Sequence, residues 1–196
     1  MQKNEIVAAL EPVIDALDDL GLSYYIGGSI ASSAYGMARS TLDVDLVLEL
    51  ETFHIQPLVN KLKGEYYIES EMINDAIKEK TSFNIIHLKS MLKIDVFILK
   101  DQMYPKKAFE RKTKDKLDDE AGSINIYLCS PEDIILHKLE WFKSGGEVSE
   151  RQWLDILGVI KIQFEKLDKD YLKYWAKQLG VFSLLEKSFS ECDIDL

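Results

Sequence analysis

Residues 22–48 run LSYYIGGSIASSAYGMARSTLDVDLVL, and the reading of this stretch decides the fold. Leu22 to Ile26 is a short, tyrosine-rich strand that ends in Gly27-Gly28-Ser29, and the small residues from Ile30 to Tyr35 continue as a helix. The order is strand, tight turn, helix. Glycines at such a turn let the backbone approach a ligand, and the helix N-terminus offers N–H groups and a favourable dipole. The combination suits phosphate, although an ordinary tight turn has the same composition. From Leu42 to Leu50 the period changes to two, with Val44, Leu46, Leu48 and Leu50 on one face and Asp43, Asp45 and Val47 on the other. Spacing i, i+2 aims both carboxylates the same way. They face either solvent or a hard cation such as Mg2+, which takes oxygen ligands.

Ser82 to Leu88 and Leu92 to Leu99 are two further strands, joined across Lys89-Ser90-Met91. Asp95 interrupts the second with parity opposite to Ile94, Val96 and Ile98, which lets it join the face of Asp43 and Asp45. Like charges brought together there would repel and raise at least one pKa unless a cation compensates, so a metal explains them better than stability does. On the N-terminal side, Ile6, Val7, Leu10, Val13, Ile14, Leu17 and Leu20 recur at helical spacing ahead of Gly21. Thr52 to Leu62 and Glu71 to Lys78 are helical, and Ser123 to Cys129 is the last strand. Ser130-Pro131-Glu132-Asp133 is a strong helix start, with an N-cap serine, proline at the first helical position and acids in the first turn. Helices then cover Pro131 to Lys143, Glu150 to Gln163, Lys169 to Leu179 and Phe182 to Ser190. Residues 1–128 and 129–196 are the two domains expected. Lys138 sits inside the apolar stripe Ile134, Ile135, Leu139, Phe142, where a lysine either snorkels to water or keeps its charge inward for use. Asp155 follows Arg151 by four residues, a spacing that suits a surface ion pair.

Composition excludes several classes. The 196 residues are 46% hydrophobic and 30% charged, the balance of a folded globular chain. Acids outnumber bases 34 to 24, for a net charge of -10, which argues against a general DNA-coating protein or adhesion to anionic membrane. The 2 cysteines and 3 histidines lack the spacing of a zinc finger or a disulfide scaffold and fit a reducing compartment. Glu5, Glu11, Asp15, Asp18 and Asp19 are unlike a signal peptide, and no apolar run reaches the ~20 residues of a membrane span, so a cytoplasmic location is expected. Against the acidic mean, the stretch from Lys100 to Lys116 holds 7 bases and 3 acids.

Gly-Gly-Ser, 13 intervening residues, Asp-x-Asp on a strand and a lone Asp on a later strand together resemble the DNA polymerase beta-like nucleotidyltransferase superfamily over about Tyr24 to Leu99. The resemblance implies an α+β (α/β) fold, a nucleotidyltransferase-type mixed β-sheet with flanking helices plus a C-terminal helical bundle, with nucleotide in the cleft between them. It assigns triphosphate binding to Gly27, Gly28 and Ser29, Mg2+ or Mn2+ to Asp43, Asp45 and Asp95, and action on the acceptor hydroxyl to Asp95. Arg39-Ser40-Thr41 is similar to the Arg-x-Thr before the first acid in many small bacterial members, which adds Arg39 and Thr41 to the nucleotide-binding set; a capped surface loop is the alternative there. The segments around Lys138 and Asp155 are similar to AbiEii-like and MenT-type nucleotidyltransferase toxins, and by that likeness Lys138 contacts nucleotide phosphate while Asp155 orients it. The implied activity is transfer of a nucleoside monophosphate from an NTP to an acceptor hydroxyl, releasing pyrophosphate. The acceptor expected is tRNA or another RNA, with an antitoxin protein as partner and no membrane. A small-molecule transferase of the aminoglycoside type and a non-catalytic nucleotide-binding module are the alternatives.

Overall fold

The helical spacing that starts at Ile6 and the period-two pattern around Asp43 both reappear in three dimensions. A computed structural model describes residues 5–39, 41, 43–119 and 122–196. In chain order its elements are α1 (Glu5–Asp19), β1 (Tyr24–Ile26), α2 (Gly28–Tyr35), β2 (Asp43–Leu48), α3 (Ile55–Leu62, entered through a 3-10 turn at Thr52–His54), β3 (Tyr66–Tyr67), α4 (Ser70–Glu79), β4 (Ser82–His87), β5 (Lys93–Ile98), α5 (Met103–Glu110), β6 (Thr113–Asp119), β7 (Gly122–Leu128), α6 (Pro131–Ser144), α7 (Glu150–Gln163), α8 (Lys169–Gln178) and α9 (Phe182–Glu191).

The chain divides into two units, Met1–Ile26 with Thr41–Leu128, and Gly27–Ser40 with Cys129–Leu196. The segment Gly27–Ser40, expected in the first domain, belongs to the second because α2 packs on α6 and α7.

The first unit is a mixed sheet in the order β3-β4-β5-β2-β1-β7-β6. β1 runs antiparallel to β2 and parallel to β7, β2 runs parallel to β5, and the β3/β4, β4/β5 and β6/β7 pairs are antiparallel. One face is core, where Val44, Leu46, Leu48, Ile94, Val96, Ile98, Phe83 and Ile85 are all buried. α1 adds Val7, Leu10, Val13, Ile14 and Leu17 to the core, and the buried Tyr66 hydroxyl donates to the Ala9 carbonyl at 2.8 Å. On the opposite face Asp45, Val47, Asp95 and Phe97 stay half-buried. The basic stretch is ordered, forming α5 and the charged edge strand β6.

The second unit is a helical bundle. Ser130 caps α6 by accepting from the Asp133 N–H at 3.1 Å, with Pro131 opening the helix as its sequence signature requires. Ser149 and Asp168 cap α7 and α8 in the same way. Among the described residues no helix is long and apolar enough to cross a membrane.

Candidate active site

In the sheet unit, β2 and β5 are in register so that Asp45 lies opposite Asp95 and Asp43 opposite Lys93. Register partners on adjacent strands project to the same side, so Asp43, Asp45 and Asp95 share a face, as the parity of Asp95 requires. Asp95 is tightly held. Its Oδ2 meets Lys93 Nζ at 2.8 Å, and the side-chain amide of Asn84, its register partner on β4, lies 2.6 Å from Oδ1, where it donates once its nitrogen is turned toward the carboxylate. Hydrogen bonding to Asp95, and then the charges of Asp95, Asp43 and Asp45, push the Lys93 ammonium up against a smaller opposing effect of burial. Part of the expected repulsion among the acids is therefore answered by a lysine of the chain itself. Lys93 and Asn84 were missed in the sequence. The signal for Lys93 was present, since it stands two residues before Asp95 on one strand and must share its face.

The second cluster lies wholly within the helical unit and brings together residues far apart in sequence. Arg39 Nε and Nη2 each donate to Asp155, to Oδ1 and Oδ2, at 2.8 Å, and Nη2 also donates to Ser29 Oγ at 2.6 Å. Lys138 Nζ donates to Asp155 Oδ2 at 2.8 Å, with side-chain exposures of 4% and 7% for the pair. Lys138 is thus an inward, buried charge and does not snorkel. Asp155 meets Lys138, the lysine that the family likeness has it orient, and also Arg39, and among the described residues the alternative surface pair with Arg151 does not form. Burial pushes the Asp155 carboxyl up, but hydrogen bonds from Arg39 and Lys138, and then their charges, outweigh it and hold the group below the ordinary aspartate value. Two cations, Arg39 and Lys138, share the Asp155 carboxylate. Arg39 Nη1 is buried and has no hydrogen-bond partner among the described residues. An anion is the ligand such a cluster favours.

Two glycines set this geometry. Gly28, in the first turn of α2, has φ +51°, a conformation that glycine adopts without strain. Gly36 packs so closely on α7 that an added Cβ would lie 2.8 Å from the Ser32 carbonyl oxygen and 2.9 Å from the Val159 nitrogen. That contact carries the Gly36–Arg39 segment against α7, the helix that presents Asp155. Gly27 stands at the N-cap position of α2, and no side chain caps that end. Thr41 lies in the other unit, where its hydroxyl bonds the Asp43 backbone, donating to the carbonyl at 3.2 Å and accepting from the N–H at 3.4 Å. Ser40, the middle residue of Arg39-Ser40-Thr41, lies outside the described residues.

Mg2+ or Mn2+ fits the donor chemistry of the acid face, whose carboxylates are hard oxygen ligands. Among the described residues no group of three or more His, Cys, Asp or Glu side chains is gathered so as to hold a metal by itself. A metal on Asp43 and Asp45 would therefore complete its shell from other oxygens, such as those of phosphate and water. Three bases of the basic stretch have partners within it: Lys106 pairs with Asp101 at 3.3 Å, Lys107 with Glu110 at 3.1 Å, and Lys112 stands 4.0 Å from the Phe109 ring centroid.

No protein-family model matches the sequence, and no curated protein sequence matches it. Solved structures do match. An antigenic nucleotidyltransferase-like protein from Paracoccidioides brasiliensis superposes with a TM-score of 0.62 at 17% identity, over 98% of this chain and 93% of its own. ANT(2'')-Ia in complex with adenylyl-2''-tobramycin superposes with a TM-score of 0.57 at 13% identity, over 90% of this chain and 98% of its own. The solution structure of the same antibiotic-resistance factor gives 0.51 at 15% identity, over 95% and 94%. These likenesses show that the chain has the fold found in nucleotidyltransferases.

Proposed function

We propose that this chain transfers a nucleoside monophosphate from an NTP to a hydroxyl of a small acceptor, releasing pyrophosphate. The observation that carries the reading is the β2/β5 register, which sets Asp43, Asp45 and Asp95 on one half-open sheet face. Asp43 and Asp45 would hold Mg2+ or Mn2+, which when bound neutralises the triphosphate and the departing pyrophosphate. Asp95, clamped by Lys93 and Asn84, accepts or orients the proton of the acceptor hydroxyl. In the other cluster Ser29 Oγ already accepts from Arg39, so its own O–H is left to donate to a phosphate oxygen. Lys138 and Arg39 add fixed positive charge, and Asp155 holds both in place before substrate arrives.

Two observations support a small, non-polyanionic acceptor over RNA. The acceptor-side acid stands among further carboxylates, and of the bases in residues 100–116 Lys106 and Lys107 are in ion pairs and Lys112 stands over a ring. The fold likeness to ANT(2'')-Ia, solved with an adenylylated tobramycin, supports the same acceptor class. The test is incubation of pure protein with each labelled NTP, Mg2+ or Mn2+, and either polyhydroxylated amines or total RNA, with Asp43→Asn as control. Label on the small molecule that depends on Asp43 supports the proposal. Label on RNA that is lost when Lys106, Lys107, Arg111 and Lys112 are replaced by serine moves the acceptor to nucleic acid. Label on neither, with all four NTPs, overturns transfer to either class.

A further inference from the structure

We infer that Lys93 is the resident counter-ion of the acid face, positioning Asp95 and weakening metal binding at Asp43 and Asp45 until a nucleotide arrives. The inference rests on the proposed transfer reading for its functional meaning, but its physical content stands on geometry alone. Lys93 Nζ is 2.8 Å from Asp95 Oδ2, the Lys93 backbone is in register with Asp43, and Asp45 is in register with Asp95. One ammonium thus contacts Asp95 and feels the charges of Asp43 and Asp45 on the same face. The second Asp95 oxygen is occupied by the Asn84 amide at 2.6 Å, so both oxygens are engaged by donors of the chain itself. That is the arrangement of an oriented acceptor-side carboxylate, and it leaves Asp43 and Asp45 as the principal metal pair.

The electrostatic consequence follows directly. A divalent cation entering beside Asp43 and Asp45 meets a positive charge already in place, and the repulsion subtracts from the attraction of the acids. Metal alone therefore binds weakly, whereas metal carried on a triphosphate brings its own compensating charge. Lys93 is 41% exposed, and methionine keeps the length of its stem, so its charge can be removed without opening a cavity.

The test compares wild type, Lys93→Met and Lys93→Arg. The first readout is Mn2+ binding without nucleotide, which requires no turnover. Lys93→Met should bind Mn2+ about tenfold tighter or more. It should also melt earlier than wild type in EDTA and recover when Mn2+ is added, because the charge that Lys93 sets against Asp95 is gone and the metal replaces it. Lys93→Arg keeps the charge and should bind Mn2+ as wild type does. In the transfer assay Lys93→Met should lower kcat with little change in KM for the NTP, and Lys93→Arg should restore most of it. Unchanged Mn2+ affinity in Lys93→Met overturns the inference, as does absence of Mn2+ binding in both wild type and Lys93→Met. A tenfold shift in a protein that transfers no label upholds the counter-ion and refutes only the transfer reading.

Discussion

Asp155→Asn removes a negative charge that Arg39 and Lys138 share, while keeping shape and one acceptor oxygen. Taking one partner from a buried ion pair costs about 3–5 kcal/mol, because the other charge stays buried without compensation. The 4% exposure of Lys138 puts it in that regime, whereas Arg39 at 24% reaches water and suffers less. The low end, about 3 kcal/mol, is the expected loss. In a chain of this length it lowers Tm by roughly 6–12 °C. An anion should then rescue the variant. Pyrophosphate without metal supplies the negative charge that the carboxylate gave, so its Tm increment should be larger for Asp155→Asn than for wild type. The assay is thermal unfolding of both proteins across a pyrophosphate titration. pH adds a second check. Because the folded-state pKa of Asp155 lies below its unfolded value, the stability it contributes is present above about pH 4 and is lost as pH falls through the depressed value. The gap between the two proteins should close in that acid window. A variant within about 2 °C of wild type at pH 7, with the same pyrophosphate increment, would refute the view of this cluster as a charge-balanced anion site.

Asp43→Asn and Asp45→Asn should abolish transfer without lowering Tm, since each relieves repulsion on the acid face; full activity in either at unchanged Tm removes the metal role of that residue. Gly36→Ala must displace backbone at a 2.8 Å approach and should destabilise by about 1–3 kcal/mol while lowering kcat/KM through Arg39, measured by denaturant unfolding and steady-state rates. Burial pushes the His137 pKa down, against a smaller opposite effect of Asp133. The unfolded chain therefore takes the proton first, and stability should fall as pH drops below about 6.5. His137→Gln should flatten that slope in Tm against pH, and an unchanged slope refutes the assignment.

Local patterns in the sequence led directly to the strands. Alternation put Val44, Leu46 and Leu48 inward and Asp43 and Asp45 outward, and the same rule carried Asp95 to their face, because strand geometry leaves only two directions for a side chain. Lys138 showed itself as a charge inside an apolar stripe. Of the two partners of Asp155, Lys138 was named through the family likeness, but Arg39 was not legible, since it lies 116 residues away and only the packing of α2 on α7 brings them together. The local candidate, Arg151, satisfied the helical spacing and was the wrong cation. β6 escaped notice because it is an exposed edge strand whose Lys114, Asp115 and Lys116 give no apolar alternation, and β3 is only two residues long. In α5 the charges of Lys106, Lys107 and Glu110 hid an apolar side made by Tyr104, Ala108 and Phe109.

The assignment of Gly27–Ser40 to the helical unit bears on how the chain is made. As the protein leaves the ribosome, α2 emerges about a hundred residues ahead of α6 and α7, the helices that cover it. Until they arrive, the buried Ile30 and Ala31 lack the helices that α2 packs on, and Arg39 lacks the Asp155 carboxylate. The helical unit is therefore not a module that can be trimmed or exchanged at residue 128. A fragment ending there keeps Ser29 and Arg39 but loses Lys138 and Asp155, and a graft of 129–196 onto another sheet must bring residues 27–40 with it to reassemble the cluster.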